Sequence, residues 1–161
     1  MIVYLARHAW AGHYGDPAWP DDSQRPLTDE GIERYRRMVE RLVEGGFAPE
    51  RIATSPYVRC VQTAELLAEA TGAPIESFAE LAPGATSIPL LRWCEIASSE
   101  RVCLVGHNPD LESISASWLG DDDASIRFAK GAVAAVRFDV PPPEPGDGTL
   151  LWHATAKLLG V

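Results

Sequence analysis

The chain has 161 residues, is 46% hydrophobic and carries a formal net charge of −9. That length suits one domain that can bury a core without a covalent or metal staple. The acidic balance argues against general binding to nucleic acid or to an anionic membrane surface. The three cysteines, Cys60, Cys94 and Cys103, are odd in number and form no C-x-x-C pair, so they read as small buried hydrophobes in a reducing cytoplasm. The opening apolar run is too short for a signal peptide, and no stretch approaches ~20 apolar residues, so no membrane span is expected.

In chain order, Ile2–Leu5 reads as a short buried strand that runs into Arg7 and His8. A buried strand ending in a cation and an imidazole leaves two polar groups at the core edge, where they need partners. Alone, the pair is equally consistent with a strand leaving for solvent. The loop 9–26 is rich in Gly, Pro and Asp, and its length marks it as functional or mobile. Trp10, His13 and Arg25 are its candidate substrate contacts. Equally, Trp10 and Trp19 could serve only to pin the loop to the body.

Thr28 is a natural N-cap for a first helix, with Asp29 and Glu30 suited to its positive end. Ile32, Tyr35, Met38, Val39, Leu42 and Val43 then recur at helical spacing, and Gly45–Gly46 stops the helix. Arg34, Arg36, Arg37 and Arg41 alternate with acids and are expected on the solvated face. Residues 51–54 read as a second strand. Ser55 and Pro56 are expected to cap and open a helix to about Thr71. Arg59 falls in its first turn, where a cation opposes the helix dipole. That placement makes sense if an anion sits at the helix end, although a surface arginine could tolerate the small penalty.

Further strands are expected over 74–78, 101–105, 132–140 and 149–156, the last two paired, with a helix over 87–98. The fourth strand ends in Gly106-His107-Asn108-Pro109. Asn108 is expected to cap, and Pro109 to open, a helix whose buried face carries Leu111, Ile114, Trp118 and Leu119. The acidic run Asp121-Asp122-Asp123 reads as a solvated turn, and His153 as structural.

Strands alternating with helices imply an α/β fold with a mainly parallel sheet, whose strand ends share one side. Arg7, His8, Arg59 and His107 can therefore meet there. Two guanidinium groups, two imidazoles and two helix N-termini make an electropositive hole suited to a phosphoryl group. Phosphoryl transfer depends on positioning and charge stabilisation. A neutral imidazole nitrogen can attack phosphorus and form a covalent intermediate that water cleaves. No nucleotide-binding glycine motif is present, and the histidine spacing gives no H-x-x-x-H pair, so neither nucleotide, metal nor other cofactor is expected.

Arg7-His8-Ala9, the Pro26-Leu27-Thr28 segment with Gly31, the run from Ser55 to Ala64, and Gly106-His107-Asn108-Pro109 together resemble the histidine phosphatase, or phosphoglycerate mutase-like, superfamily. By length and wording the likeness is greatest to its short bacterial phosphohistidine phosphatases of the SixA type. The resemblance implies a three-layer α/β/α sandwich with a mainly parallel sheet and one antiparallel edge strand. It also implies a single domain over 1–161 without an inserted cap, His8 as nucleophile, and Arg7, Arg59 and His107 as phosphate ligands. Ala9 stands where the family usually has Gly, which would be costly if φ there were positive. Glu80 falls where larger relatives place an acidic proton donor, and an ordinary solvated glutamate is the competing reading. The expected substrate is a phosphorylated histidine-containing protein of a signalling or phosphotransfer system. The alternatives are a small phosphate ester or sugar phosphate, or a phosphate-binding module without catalysis.

Overall fold

The computed structural model describes residues 1–121 and 123–161. Its centre is β1 (Ile2–Arg7), whose side chains alternate between two cores because successive strand residues point to opposite faces. Tyr4 and Ala6 join Tyr35, Met38 and Leu67 on one face. Val3 and Leu5 join Leu90, Ile114 and Trp118 on the other. The first core is covered by α1 (Asp29–Glu44) and α2 (Val58–Thr71), the second by α3 (Ser87–Ala97) and α4 (Asp110–Trp118). This is the expected three-layer sandwich.

The other strands are β2 (Arg51–Thr54), β3 (Ile75–Ser77), β4 (Arg101–Gly106), β5 (Val133–Phe138) and β6 (Gly148–Ala154), ordered β3-β2-β4-β1-β5-β6. The pairs β3–β2, β2–β4 and β4–β1 are parallel. β5 runs antiparallel to β1, and the edge strand β6 is held antiparallel to β5. The three cysteines are buried and free. Among the described residues no helix is long and apolar enough to cross a membrane. Asp122 of the acidic run lies outside the described residues; Asp121 and Asp123 are exposed.

Both expected proline-opened helices begin later than the sequence suggests. α2 starts at Val58 with Tyr57 at its N-cap; the Ser55 hydroxyl contacts a histidine at 2.8 Å and accepts only a long 3.4 Å bond from Tyr57 N. α4 starts at Asp110, and the Asn108 amide donates to Glu112 Oε1 and the Phe128 carbonyl instead of capping. Thr28 caps α1 as expected, accepting from Gly31 N.

The long loop is tied down chiefly by backbone. Thr28 N donates to the Trp10 carbonyl at 2.9 Å, and Ala11 bridges to Leu27. Trp10 packs against the first core, whereas Trp19 is 38% exposed and belongs to neither core. The approach of loop to helix requires Gly31: a Cβ there would overlap the Trp10 carbonyl oxygen and stand 2.9 Å from Thr28 Oγ1. Gly31→Ala is expected to push the loop off α1 and cost about 1–3 kcal/mol, the usual scale of overpacking. The shift in urea midpoint, with an unchanged slope, measures it.

Candidate active site

The strand register assembles the site. Parallel pairing sets Arg7 opposite Gly106, so the next residues, His8 and His107, emerge side by side with ring centroids 5.5 Å apart. Thr54 pairs with Val105, and Ser55 N continues that ladder to the Val105 carbonyl. Ser55 Oγ thus reaches His107 Nε2 at 2.8 Å. Arg59, one residue into α2, is only 4% exposed, which removes the surface-arginine reading.

His8 is held by its own chain. Nδ1 lies 2.8 Å from the Ala9 carbonyl, an acceptor, so Nδ1 carries the proton and Nε2 keeps its lone pair. Burial first, then Arg59, His107 and Arg7, push the His8 pKa down to about 3. The ring therefore remains neutral throughout the physiological range. Ala9 does not take up positive φ; among the described residues only Ser98 does so without being glycine. The small side chain is fully buried, and Ala9 N donates to Thr63 Oγ1 at 3.0 Å. Thr63 Oγ1 in turn donates to the Arg59 carbonyl at 2.7 Å, so one hydroxyl links the His8 segment to the Arg59 turn.

His107 is braced on its opposite side. Arg59 Nη2 can only donate, at 3.4 Å to Nδ1, which leaves Nε2 to donate to Ser55. The Cys60 thiol lies 3.4 Å from Nε2, and burial pushes that thiol up to about 12, making it packing and not a nucleophile. Burial, then Arg59, lower the His107 pKa to about 4. An arriving dianion would reverse the second of these causes and favour the imidazolium.

Both guanidinium groups are fixed yet incompletely satisfied. Arg7 Nη1 donates to the Phe128 carbonyl at 2.7 Å, and Arg59 Nη1 to the Asp22 carbonyl at 2.8 Å. Among the described residues, the buried Nε of each has no hydrogen-bond partner. Buried unpaired N–H groups are costly, and two beside a neutral imidazole suit an incoming anion.

Arg7, His8, Trp10, Arg25, Arg59 and His107 all line one cleft of about 820 Å³, as does the exposed His13. Trp10 packs on the first core and lines the cleft. Glu80 is not brought to them. It is exposed on a short 3-10 turn (Ala79–Leu81) whose buried residue is Leu81, and Pro83 is what that segment contributes to the cleft. His153 sits away from the cleft lining, its ring edge-on to Phe128 at 5.0 Å.

Sequence reasoning missed several cleft residues, Asp22 and Arg34 among them. Asp22 accepts from Arg25 Nε at 2.8 Å and pairs with Arg59 Nη2 at 3.0 Å. Burial works against its charge, but Arg25 and Arg59 hold its carboxyl below the usual carboxylate range. Arg34, expected on the solvated face, is half-buried, stacked 4.3 Å over Trp10 and bonded to the Val161 carbonyl. Its i, i+3 spacing from Gly31, on the side that meets the loop, was the only available signal.

Two neutral strand-end imidazoles beside guanidinium groups with unpaired N–H donors make a basic cleft suited to a phosphoryl group. The chain belongs to the histidine phosphatase superfamily: the model of its branch 1 matches residues 3–83, a segment holding Arg7, His8 and Arg59. Escherichia coli (strain K12) phosphohistidine phosphatase SixA is 29% identical over 160 residues, covering 95% of this chain and 92% of that protein. An uncharacterised protein of Picosynechococcus is 36% identical over 142 residues, 85% of each chain. The structure of the protein histidine phosphatase SixA complexed with tungstate superposes with a TM-score of 0.83 at 27% identity, covering 99% of each chain.

Two outcomes test this electrostatic frame. Both histidines titrate lower when folded than the ordinary ~6.5, so below that pH the unfolded chain binds the extra protons. Stability should be flat above pH 6.5 and fall toward pH 4, by about 2 kcal/mol per histidine between pH 7 and 5. Urea midpoints across that range check it, and His107→Gln should remove about 2 kcal/mol of the fall between pH 7 and 5. Thr63→Val would leave the buried Ala9 N–H unpaired and should cost about 1–3 kcal/mol, read by thermal unfolding.

Proposed function

We propose that this chain is a phosphohistidine phosphatase that acts, without a metal, on a phosphorylated histidine side chain of another protein. The observation that carries the reading is the neutral His8, with Nδ1–H tied to the Ala9 carbonyl and its ring beside His107 in the same cleft as Arg7 and Arg59. His8 Nε2 attacks phosphorus, forming one N–P bond as the N–P bond to the substrate imidazole breaks. Arg7, Arg59 and His107 hold the phosphoryl oxygens as charge moves across them. The departing imidazole takes its proton from solvent. Water then cleaves the phosphorylated His8, releasing inorganic phosphate and restoring the neutral ring.

The leaving group argues for this substrate class. An alkoxide needs a proton donor, whereas an imidazole that titrates near ~6.5 leaves readily. Asp22 is kept charged by its arginines, Glu80 lies outside the cleft, and Glu30 is exposed where it lines it. A single domain without an inserted cap over the cleft would also admit a side chain carried on a protein surface.

The test is release of phosphate from a phosphorylated histidine domain with chelator present. The parent should turn over, and His8→Ala should lose at least ~10³-fold, as expected when a covalent nucleophile is removed. An acid-labile labelled phosphoenzyme should form on the parent alone. Small phosphate esters should be at least ~100-fold poorer in kcat/KM. Parent-like turnover by His8→Ala would overturn the reading. Esters outpacing the phosphoprotein would move it to a small-molecule phosphatase, and tight phosphate binding without a phosphoenzyme to a non-catalytic module.

A further inference from the structure

The distribution of basic side chains is uneven. Among the described residues, Arg25, Arg36, Arg41, Arg51, Arg59, Arg101 and Arg137 each pair with a carboxylate. Arg37 and Arg92 apart, the basic residues in no such pair are Arg7, Arg34, Arg127, Lys130 and Lys157, and all five line one groove of about 480 Å³. The last two are the only lysines in the chain. The groove shares Arg7, Trp10, Arg34, Asn108 and Lys130 with the catalytic cleft, so it opens directly from the phosphate site. Its one acid, Glu112, is committed internally: Oε1 accepts from Asn108 Nδ2 at 2.6 Å and from Phe128 N at 3.0 Å.

A chain of net charge −9 that gathers in one groove beside the cleft five of the seven cations with no carboxylate partner among the described residues has a local field opposite in sign to the whole. The geometry points to this groove as the docking site for an acidic segment of the phosphoprotein substrate, lying alongside the phosphohistidine. Arg127, Lys130 and Lys157 are exposed and come from separate segments, the loop before β5 and the turn after β6. A small diphosphate would call for convergent, enclosed donors. Dispersed exposed cations instead steer a charged protein surface and set its register, with little desolvation cost. The inference rests on the phosphohistidine reading for what is docked, but the groove's preference for an acidic chain is independently measurable.

Arg127→Glu with Lys157→Glu tests it, since both residues line the groove and neither lines the catalytic cleft. A fluorescent Glu-rich decapeptide carrying no phosphate should bind the parent at low ionic strength by anisotropy. The double variant should bind it at least ~10-fold more weakly, and salt should erase the difference. With a phosphorylated histidine domain, kcat/KM should fall at least ~10-fold in the variant, while turnover of free phosphoramidate stays within about two-fold of the parent. Peptide binding without phosphoprotein turnover by the parent would sink the phosphohistidine reading and leave the groove standing. Equal binding of the Glu-rich and a neutral peptide by the parent would overturn the groove. So would equal losses on phosphoprotein and phosphoramidate, or pyrophosphate bound in the groove in preference to the peptide.

Discussion

Everything in the site depends on the register of three adjacent strands. β2, β4 and β1 are parallel neighbours, and their pairing stops one residue apart: Thr54 against Val105, Arg7 against Gly106. A slip of one residue would turn His8 or His107 to the opposite face of the sheet, since strand side chains alternate. That register is fixed by two buried faces. Tyr4, Ala6, Cys103 and Val105 enter one core, and Val3, Leu5, Val102 and Leu104 the other. The geometry of the reactive imidazoles is thus set by hydrophobic packing several residues away from them.

The electrostatics follow from the same placement. Neutral imidazoles avoid charge repulsion with the guanidinium groups around them, and the structure keeps both well below the ordinary histidine range. Neutrality is also what attack on phosphorus requires. The arginines supply the positive charge from positions anchored to carbonyls, the half-buried Arg7 on Phe128 and the buried Arg59 on Asp22. Those carbonyl anchors fix each guanidinium in place, while Asp22 also holds the Arg59 donors.

Much of this was legible in the sequence, for physical reasons. Alternating apolar runs gave the strands, helical spacing gave α1, and the shared polarity of parallel strands gathered Arg7, His8, Arg59 and His107 into one cleft. What misled was local chemistry with two possible outlets. Ser55 and Asn108 are good caps, but one braces His107 and the other bonds Glu112 and Phe128, and only tertiary contact decides which partner wins. Asp22 and Arg34 were hidden because a loop must fold back before either meets the cleft. The position of Glu80 depended on which residue of a three-residue turn faces inward, and Leu81 took that place.

The Asp22 carboxylate bridging Arg25 and Arg59 has a consequence for ligand exchange. It is a resident anion holding the donors that a phosphoryl oxygen would claim, so every ligand enters in competition with an internal mimic. Affinity is then a difference between two anions for one guanidinium, and the carboxylate returns unaided when the ligand leaves. The exchange weakens the hold of the cleft on every anion alike, substrate or free phosphate.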